Sequence, residues 1–170
     1  MNREQGNPNQ DRIREAVEKF EQPLIRYALR IVDDIDLARD VVQDTFLQLC
    51  RQSNDKIKIS LKAWLYTVCR NRAFDVRKKE ARMKYATDSN AESIQSHEPN
   101  QAQRMEQRDA AHLTSRLLNK LPDQQQEAIR MKIVHGLSYR EISKVLDVSI
   151  SHVGYLLHMG IKTIREQASH

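Results

Sequence analysis

A chain of 170 residues has room for one medium domain or two small ones, and with only four Gly and four Pro it reads as helical nearly throughout. Its formal net charge of +5 at pH 7 favours a polyanionic partner, although charge alone fits RNA or a membrane surface as well as DNA. No apolar run approaches a membrane span and no signal-peptide core follows Met1, so a cytoplasmic protein without membrane insertion is expected.

Residues 1–10 are polar and read as a disordered N-terminus, ahead of a first domain over 11–86. Arg12 to Phe20 is a short amphipathic helix, and Pro23 suits the first turn of a second one whose apolar face holds Leu24, Tyr27, Ala28 and Ile31. Asp33 and Asp34 end it. The next segment places Ala38, Val42, Phe46 and Leu49 on one helical face, opposite a stripe of Asp36, Asp40, Gln43, Asp44 and Leu47. A solvated acidic side is the plain reading of that stripe. In a basic chain it also suits a protein–protein contact, because acid repels DNA and Leu47 stands alone among polar groups.

A polar, basic loop from Ser53 to Ser60 leads into a helix that starts at Leu61. That helix carries Lys62, Arg70, Arg72, Arg77, Lys78, Lys79, Arg82 and Lys84 against two acids, Asp75 and Glu80, with Trp64 and Phe74 interleaved. Such a face tracks a phosphate backbone, and aromatic groups beside it can stack on unpaired bases. The rival reading makes Trp64 and Phe74 core residues with bases snorkelling around them, and for Trp64 it is favoured; the loop, Asn71 and Tyr66 are the better candidates for base contact. Cys50 and Cys69 sit inside amphipathic patterns and read as small buried thiols kept reduced. The histidines lack finger-like spacing from paired cysteines, so neither a metal nor a cofactor is expected.

Residues 87–108 are rich in Ser, Asn, Gln, Glu and Ala and read as a flexible linker. Beyond it, 109–170 forms a second small domain with a fully punctuated helix-turn-helix. Gly136 permits a left-handed helix end, Leu137 follows with an apolar contact, and Ser138 with Glu141 forms a capping box, so a helix starts at Tyr139 with Ile142, Val145 and Leu146 on one face. Asp147-Val148-Ser149 interrupts the run. Ser149 is placed to cap a second helix through Val153, Leu156, Leu157, Ile161 and Ile164. An ordinary helical hairpin would share this pattern; the basic composition favours DNA reading.

Two separated segments resemble the extracytoplasmic-function sigma factors, the smallest members of the bacterial sigma-70 superfamily. Leu24 to Ile31, Asp36 to Phe46 and Ala63 to Lys79 are similar to the family's region two, and Leu117 to Ile129 with Leu137 to Ser149 are similar to region four. The resemblance implies an all-α fold of two small domains, a region-two helical bundle and a region-four helix-turn-helix joined by the linker. It implies that Asp36, Asp40, Gln43, Asp44 and Leu47 dock on the coiled coil of the largest subunit of core RNA polymerase, whose flap is a further partner. It also implies that the loop with Asn54, Lys56, Lys58 and Ser60, and the helix with Lys62, Tyr66, Asn71, Arg77 and Lys78, recognise and melt the minus-ten element of promoter DNA, in double-stranded and melted form.

Region-four similarity puts the helix from Ile150 in the major groove of the minus-35 element, with Ser149, Ser151, His152, Tyr155 and His158 toward bases and Arg140 and Lys162 toward phosphates. This sequence departs from the family there. Asp147 stands where Gly is frequent and Ser143 where Ala is usual, and the helix delays its bases to Lys162 and Arg165. Gly154 and Gly160 each cost about 1 kcal/mol of helix stability relative to Ala. Weak independent binding of the upstream element follows. Relatives are often held inactive by an anti-sigma protein, which makes one a candidate partner.

A stand-alone helix-turn-helix regulator is the competing reading, but it leaves an acidic stripe beside a basic aromatic helix without a purpose. An enzyme has little to rest on, since no nucleophile–base pair, phosphate-binding glycine loop or metal motif is present.

Overall fold

The computed structural model describes residues 8–87 and 114–169, and among them helix is the only extended regular structure. They fall into two compact units that divide between residues 89 and 90. The first contains α1 (Pro8–Val32), α2 (Ile35–Arg51), a short 3-10 turn (Asn54–Lys56) and α3 (Leu61–Thr87). The second contains helical residues 114–119, denoted α4, then α5 (Asp123–Ile133), α6 (Tyr139–Leu146) and α7 (Ile150–Ala168).

α1 corrects two expectations. It begins at Pro8, so Pro8 to Gln10 are helical rather than disordered, in keeping with the fitness of Pro for a first helical turn. It also runs unbroken through Pro23, which deprives Lys19 of a backbone donor at a cost of about 3 kcal/mol relative to Ala. The reason lies in the stripe Ala16, Phe20, Leu24, Tyr27 and Ala28, buried on both sides of Pro23. Its packing against α2 and α3 outweighs the lost hydrogen bond. Two helices end-to-end would have split that stripe.

The turn into α2 is made by the two aspartates. Asp33 takes a left-handed conformation (φ 56°), which Asp tolerates better than most residues. Asp34 caps α2, its Oδ1 accepting from the Asp36 N–H at 2.8 Å and the Leu37 N–H at 2.9 Å. α2 buries Ala38, Val41, Val42, Thr45, Phe46 and Leu49, and the Thr45 hydroxyl is satisfied by donating to the Val41 carbonyl at 2.8 Å. Ser60 caps α3, its Oγ accepting from the Ala63 N–H at 3.1 Å. The buried residues of α3 are Ala63, Leu65, Tyr66, Cys69 and Ala73; from Ala81 to Thr87 every residue is exposed. The three helices pack pairwise.

In the second unit Leu117, Leu118 and Leu121 bury against a core that includes Ala128, Ile129 and Met131 of α5. Gly136 reverses the chain with φ 64°, and the buried Leu137 returns its N–H to the Met131 carbonyl at 2.9 Å. The capping box closes from both sides: the Glu141 N–H donates to Ser138 Oγ at 3.2 Å, and the Ser138 N–H to Glu141 Oε2 at 2.8 Å. Asp147 takes the left-handed turn position (φ 55°, ψ 51°), and Ser149 Oγ caps α7 by accepting from the His152 N–H at 3.1 Å.

Ser143 acquires a purpose that its position in the pattern did not suggest. Its nearly buried hydroxyl donates to the Val148 carbonyl at 2.7 Å, tying α6 to the far side of the turn. Gly160 is likewise structural. A Cβ there would lie 2.6 Å from Ile129 Cδ1, so α7 passes so close to α5 that a larger residue would require the Ile129 side chain to move. The expected linker lies outside the described residues except for Thr87, which ends α3, and so do residues 109–113.

Candidate functional site

On α2 the spacing of Asp36, Asp40, Gln43 and Leu47 puts all four on one side, and all four are exposed, Leu47 by 47%. Asp36 makes only a loose, exposed pair with Arg39 at 3.7 Å, too weak and too screened to occupy it. Asp44 differs. It turns toward α3 and pairs with Arg72 Nη2, both side chains being about two-fifths exposed (43% and 42%). One member of the predicted stripe therefore already has a partner within the unit, and Arg72 is a residue that sequence spacing could not have singled out. Beside Leu47 an open, largely apolar groove of about 490 Å³ runs between α1 and α2, lined among others by Ile13, Val17, Ile25, Phe46 and Cys50. Cys50 is exposed, contrary to expectation: it lies one turn after Phe46 on the side of α2 that the open groove leaves uncovered.

On α3 the outward side holds Trp64, Asn71 and Lys78 at seven-residue spacing. Asn71 and Lys78 are exposed and Trp64 is half-buried, so Trp64 is neither a full core residue nor a free one. Phe74 is half-buried between two guanidinium groups, with Arg70 at 4.7 Å and Arg77 at 5.0 Å from its ring centroid. These stacked bases hold positive charge along the helix. Lys56 and Lys58 are exposed, Lys62 is half-buried, and Asn54 lies in the 3-10 turn; Ser60, exposed, also serves as the cap of α3.

Tyr66 is a correction. It retains 1% exposure and meets Tyr27 of α1 edge to face, with centroids 5.2 Å apart. Its position three residues before Cys69 and seven before Ala73 puts it on the buried side of α3, away from base contact. Burial pushes the Tyr66 phenol well above its ordinary pKa, with the neighbouring Cys69 adding to the rise and Arg26 opposing it. Burial also pushes the Cys69 thiol up from 9.0 to about 12, against a smaller lowering by its contact with Thr45. Both groups stay neutral at physiological pH and belong to the core.

In the second unit, Ser151, Tyr155, His158 and Lys162 share one exposed side of α7. His152, at its flank, stacks on Tyr155 with centroids 5.9 Å apart and ring planes 23° apart. Arg140 is exposed at the start of α6. Ser149 is exposed, but its oxygen already accepts the cap hydrogen bond. Lys162 lies 4.0 Å from Glu166, an exposed pair that leaves its ammonium available. The arrangement can present donors, acceptors and ring edges to a groove at a low density of fixed charge.

A three-helix unit with a basic outward helix, accompanied by a capped helix-turn-helix unit, defines a two-unit, all-helical DNA-binding protein. Residues 16–83 match the Sigma-70 region 2 family and residues 112–164 match Sigma-70, region 4. The chain is 26% identical to RNA polymerase sigma factor YlaC of Bacillus subtilis over 152 residues, covering 88% of each. It is 27% identical to the ECF RNA polymerase sigma factor SigM of the same organism, covering 81% of this chain and 83% of that one. Among solved structures, the Bartonella quintana sigma factor RpoE, determined with the anti-sigma factor NepR, has a similar fold (TM-score 0.68, 22% identity, 92% of this chain and 96% of that chain). So has CnrH, determined with the cytosolic domain of CnrY (TM-score 0.60, 22% identity, 96% and 90%). The chain belongs to the extracytoplasmic-function sigma factors of the sigma-70 superfamily: it is a promoter-recognising sigma factor of RNA polymerase. Its partners are accordingly core polymerase and promoter DNA. Among the described residues no helix is long and apolar enough to cross a membrane.

Proposed function

We propose that the labour is divided by face. The α2 side bearing Asp36, Asp40, Gln43 and Leu47 docks on the coiled coil of the largest polymerase subunit, with Asp44 contributing chiefly through its hold on Arg72. The outward side of α3, with Asn71, Arg77 and Lys78, and the loop with Asn54, Lys56 and Lys58 capture and hold the minus-ten strand. α7 reads the minus-35 duplex through Ser151, His152, Tyr155 and His158, with Arg140 and Lys162 on phosphates, while the second unit rests on the flap. The supporting observation is that acid and base are segregated on different helices of one small unit, so a protein contact and a nucleic-acid contact can be made at once without mutual repulsion.

Opening needs no covalent chemistry. A base leaving the stack costs a few kcal/mol, which contacts on α3 and the loop offset once the strand is out. The protein therefore acts by binding alone, in the cytoplasm where its polymerase works, without metal or cofactor. An anti-sigma protein that covered the α2 side would block docking and hold the chain inactive.

Run-off transcription with purified core polymerase on a library of promoter fragments tests the reading. Specific transcripts should appear only when the protein is added, and Asp40→Lys should suppress them while leaving helicity unchanged. Transcripts that are indifferent to the protein, or to Asp40, would contradict the assignment.

A further inference from the structure

The two glycines of α7 have different reasons to be there. Gly160 faces the Ile129 side chain, whose tip a Cβ there would displace. At Gly154, by contrast, an added Cβ would find only Tyr139 Cε2 at 3.8 Å, an ordinary contact, so the fold would accept Ala and helix propensity would favour it. Among the described residues, Tyr139 is the only neighbour within 4 Å of that position, and it leaves room for the missing side chain. Gly154 lies one turn after Ile150, the first residue of α7, whose side chain is 50% exposed in spite of being apolar. An open hollow of about 440 Å³ includes Gly154 and is lined also by Tyr139, Leu157, Ile161 and, farther along α7, Lys162, Arg165 and Glu166.

N-terminal residues of a recognition helix are those that meet base edges, and a glycine there lets an edge approach the helix backbone. Thymine is the one base that presents a methyl group in the major groove, and apolar side chains are its usual partners. We infer that Ile150 and Gly154 together form an apolar subsite on α7 for the 5-methyl group of a thymine in the minus-35 duplex. The subsite rests on the placement of α7 in the major groove proposed above. Gly154 supplies the depth and Ile150, exposed one turn before it, the apolar neighbour, while Lys162 and Arg165, beside Glu166, lie toward the adjoining phosphates.

The test uses holoenzyme assembled from core polymerase and the full chain. Duplexes selected from a randomised minus-35 library are remade with deoxyuridine for each thymine in turn, which deletes only the 5-methyl group. One replacement should weaken wild-type binding about fourfold, the effect of uncovering one methyl group. Ile150→Ala should bind the thymine and deoxyuridine duplexes about equally. Gly154→Ala should raise the thermal midpoint of the protein while binding the thymine duplex several-fold more weakly, a combination that a structural role would not produce. A selected element without thymine, an undiminished preference for thymine in Ile150→Ala, or wild-type affinity in Gly154→Ala overturns the subsite. Lys162→Ala separates the two levels: if it weakens binding while Ile150→Ala and Gly154→Ala do not, the subsite alone is wrong. If all three variants bind as wild type, the placement of α7 in the groove falls with it.

Discussion

α3 and α7 are both long helices with one side exposed, but α3 carries eight Lys and Arg along 27 residues whereas α7 carries Lys162 and Arg165 along 19. α3 spends its outer side on charge that any sequence would attract, braced by the Arg70–Phe74–Arg77 stack. α7 offers Ser151, Tyr155, His158 and an exposed Ile150, groups that distinguish bases and contribute little to general affinity. Dense charge suits holding a separated strand, and sparse charge suits testing a sequence without trapping the protein on random DNA.

The largest effect that bears on this contrast concerns Tyr66, on the inner side of α3. Tyr66→Ala should destabilise the first unit by about 3–5 kcal/mol, enough to lower its thermal midpoint sharply, because it empties the space against Tyr27. Loss of promoter opening with unchanged thermal stability would instead restore Tyr66 to the DNA surface. Next comes the charge itself. Replacing Arg77, Lys78 and Lys79 with Ala should reduce the slope of log affinity against log salt by about 3, whereas Lys162→Ala with Arg165→Ala should reduce it by about 2. Equal or inverted slopes would erase the contrast between the helices.

A smaller difference separates Asp40 from Asp44. Asp40→Lys should weaken polymerase binding with no loss of stability. Asp44→Lys should also cost the fold about 1 kcal/mol, since it sets a cation against Arg72 in a half-exposed pair. Denaturant titration of both variants decides it, and equal stabilities would return Asp44 to the free stripe. The smallest effect is alkaline. The pKa of Cys69 is raised on folding, so its contribution is complete below the unfolded value near 9 and declines as pH rises toward about 12. Thermal midpoints between pH 8 and 11 should fall less in Cys69→Ala, each protein being compared with itself at pH 8. An identical fall would remove Cys69 as a source of that dependence.

Much of this organisation was legible in the sequence where the signal is local. The caps at Ser138 and Ser149, the left-handed Asp147 and the reversal at Gly136 follow from side chains that reach backbone groups two or three residues away, or from a backbone freedom specific to Gly and Asp. What escaped depends on partners distant in sequence. Asp44 meets Arg72 from another helix, Gly160 is explained only by Ile129, and the continuity of α1 through Pro23 reflects packing that overrides a local breaker. Tyr66 belongs to neither group: its spacing from Cys69 and Ala73 is that of the core, although its phenol is polar. At the candidate site, the exposed positions of α7 and the four exposed members of the α2 stripe stand where periodicity put them.

On the proposed division of labour, α3 holds the melted strand for a polymerase that α7 helps to place. Permanganate reactivity of unpaired thymines, measured with core polymerase on duplex and on pre-melted promoters, tests it most directly. Wild-type protein should make the minus-ten thymines reactive on duplex DNA, and Asn71→Ala should lose that reactivity on duplex but support transcription from the pre-melted template. Full reactivity with Asn71→Ala, or reactivity that does not depend on adding the protein, would contradict the account.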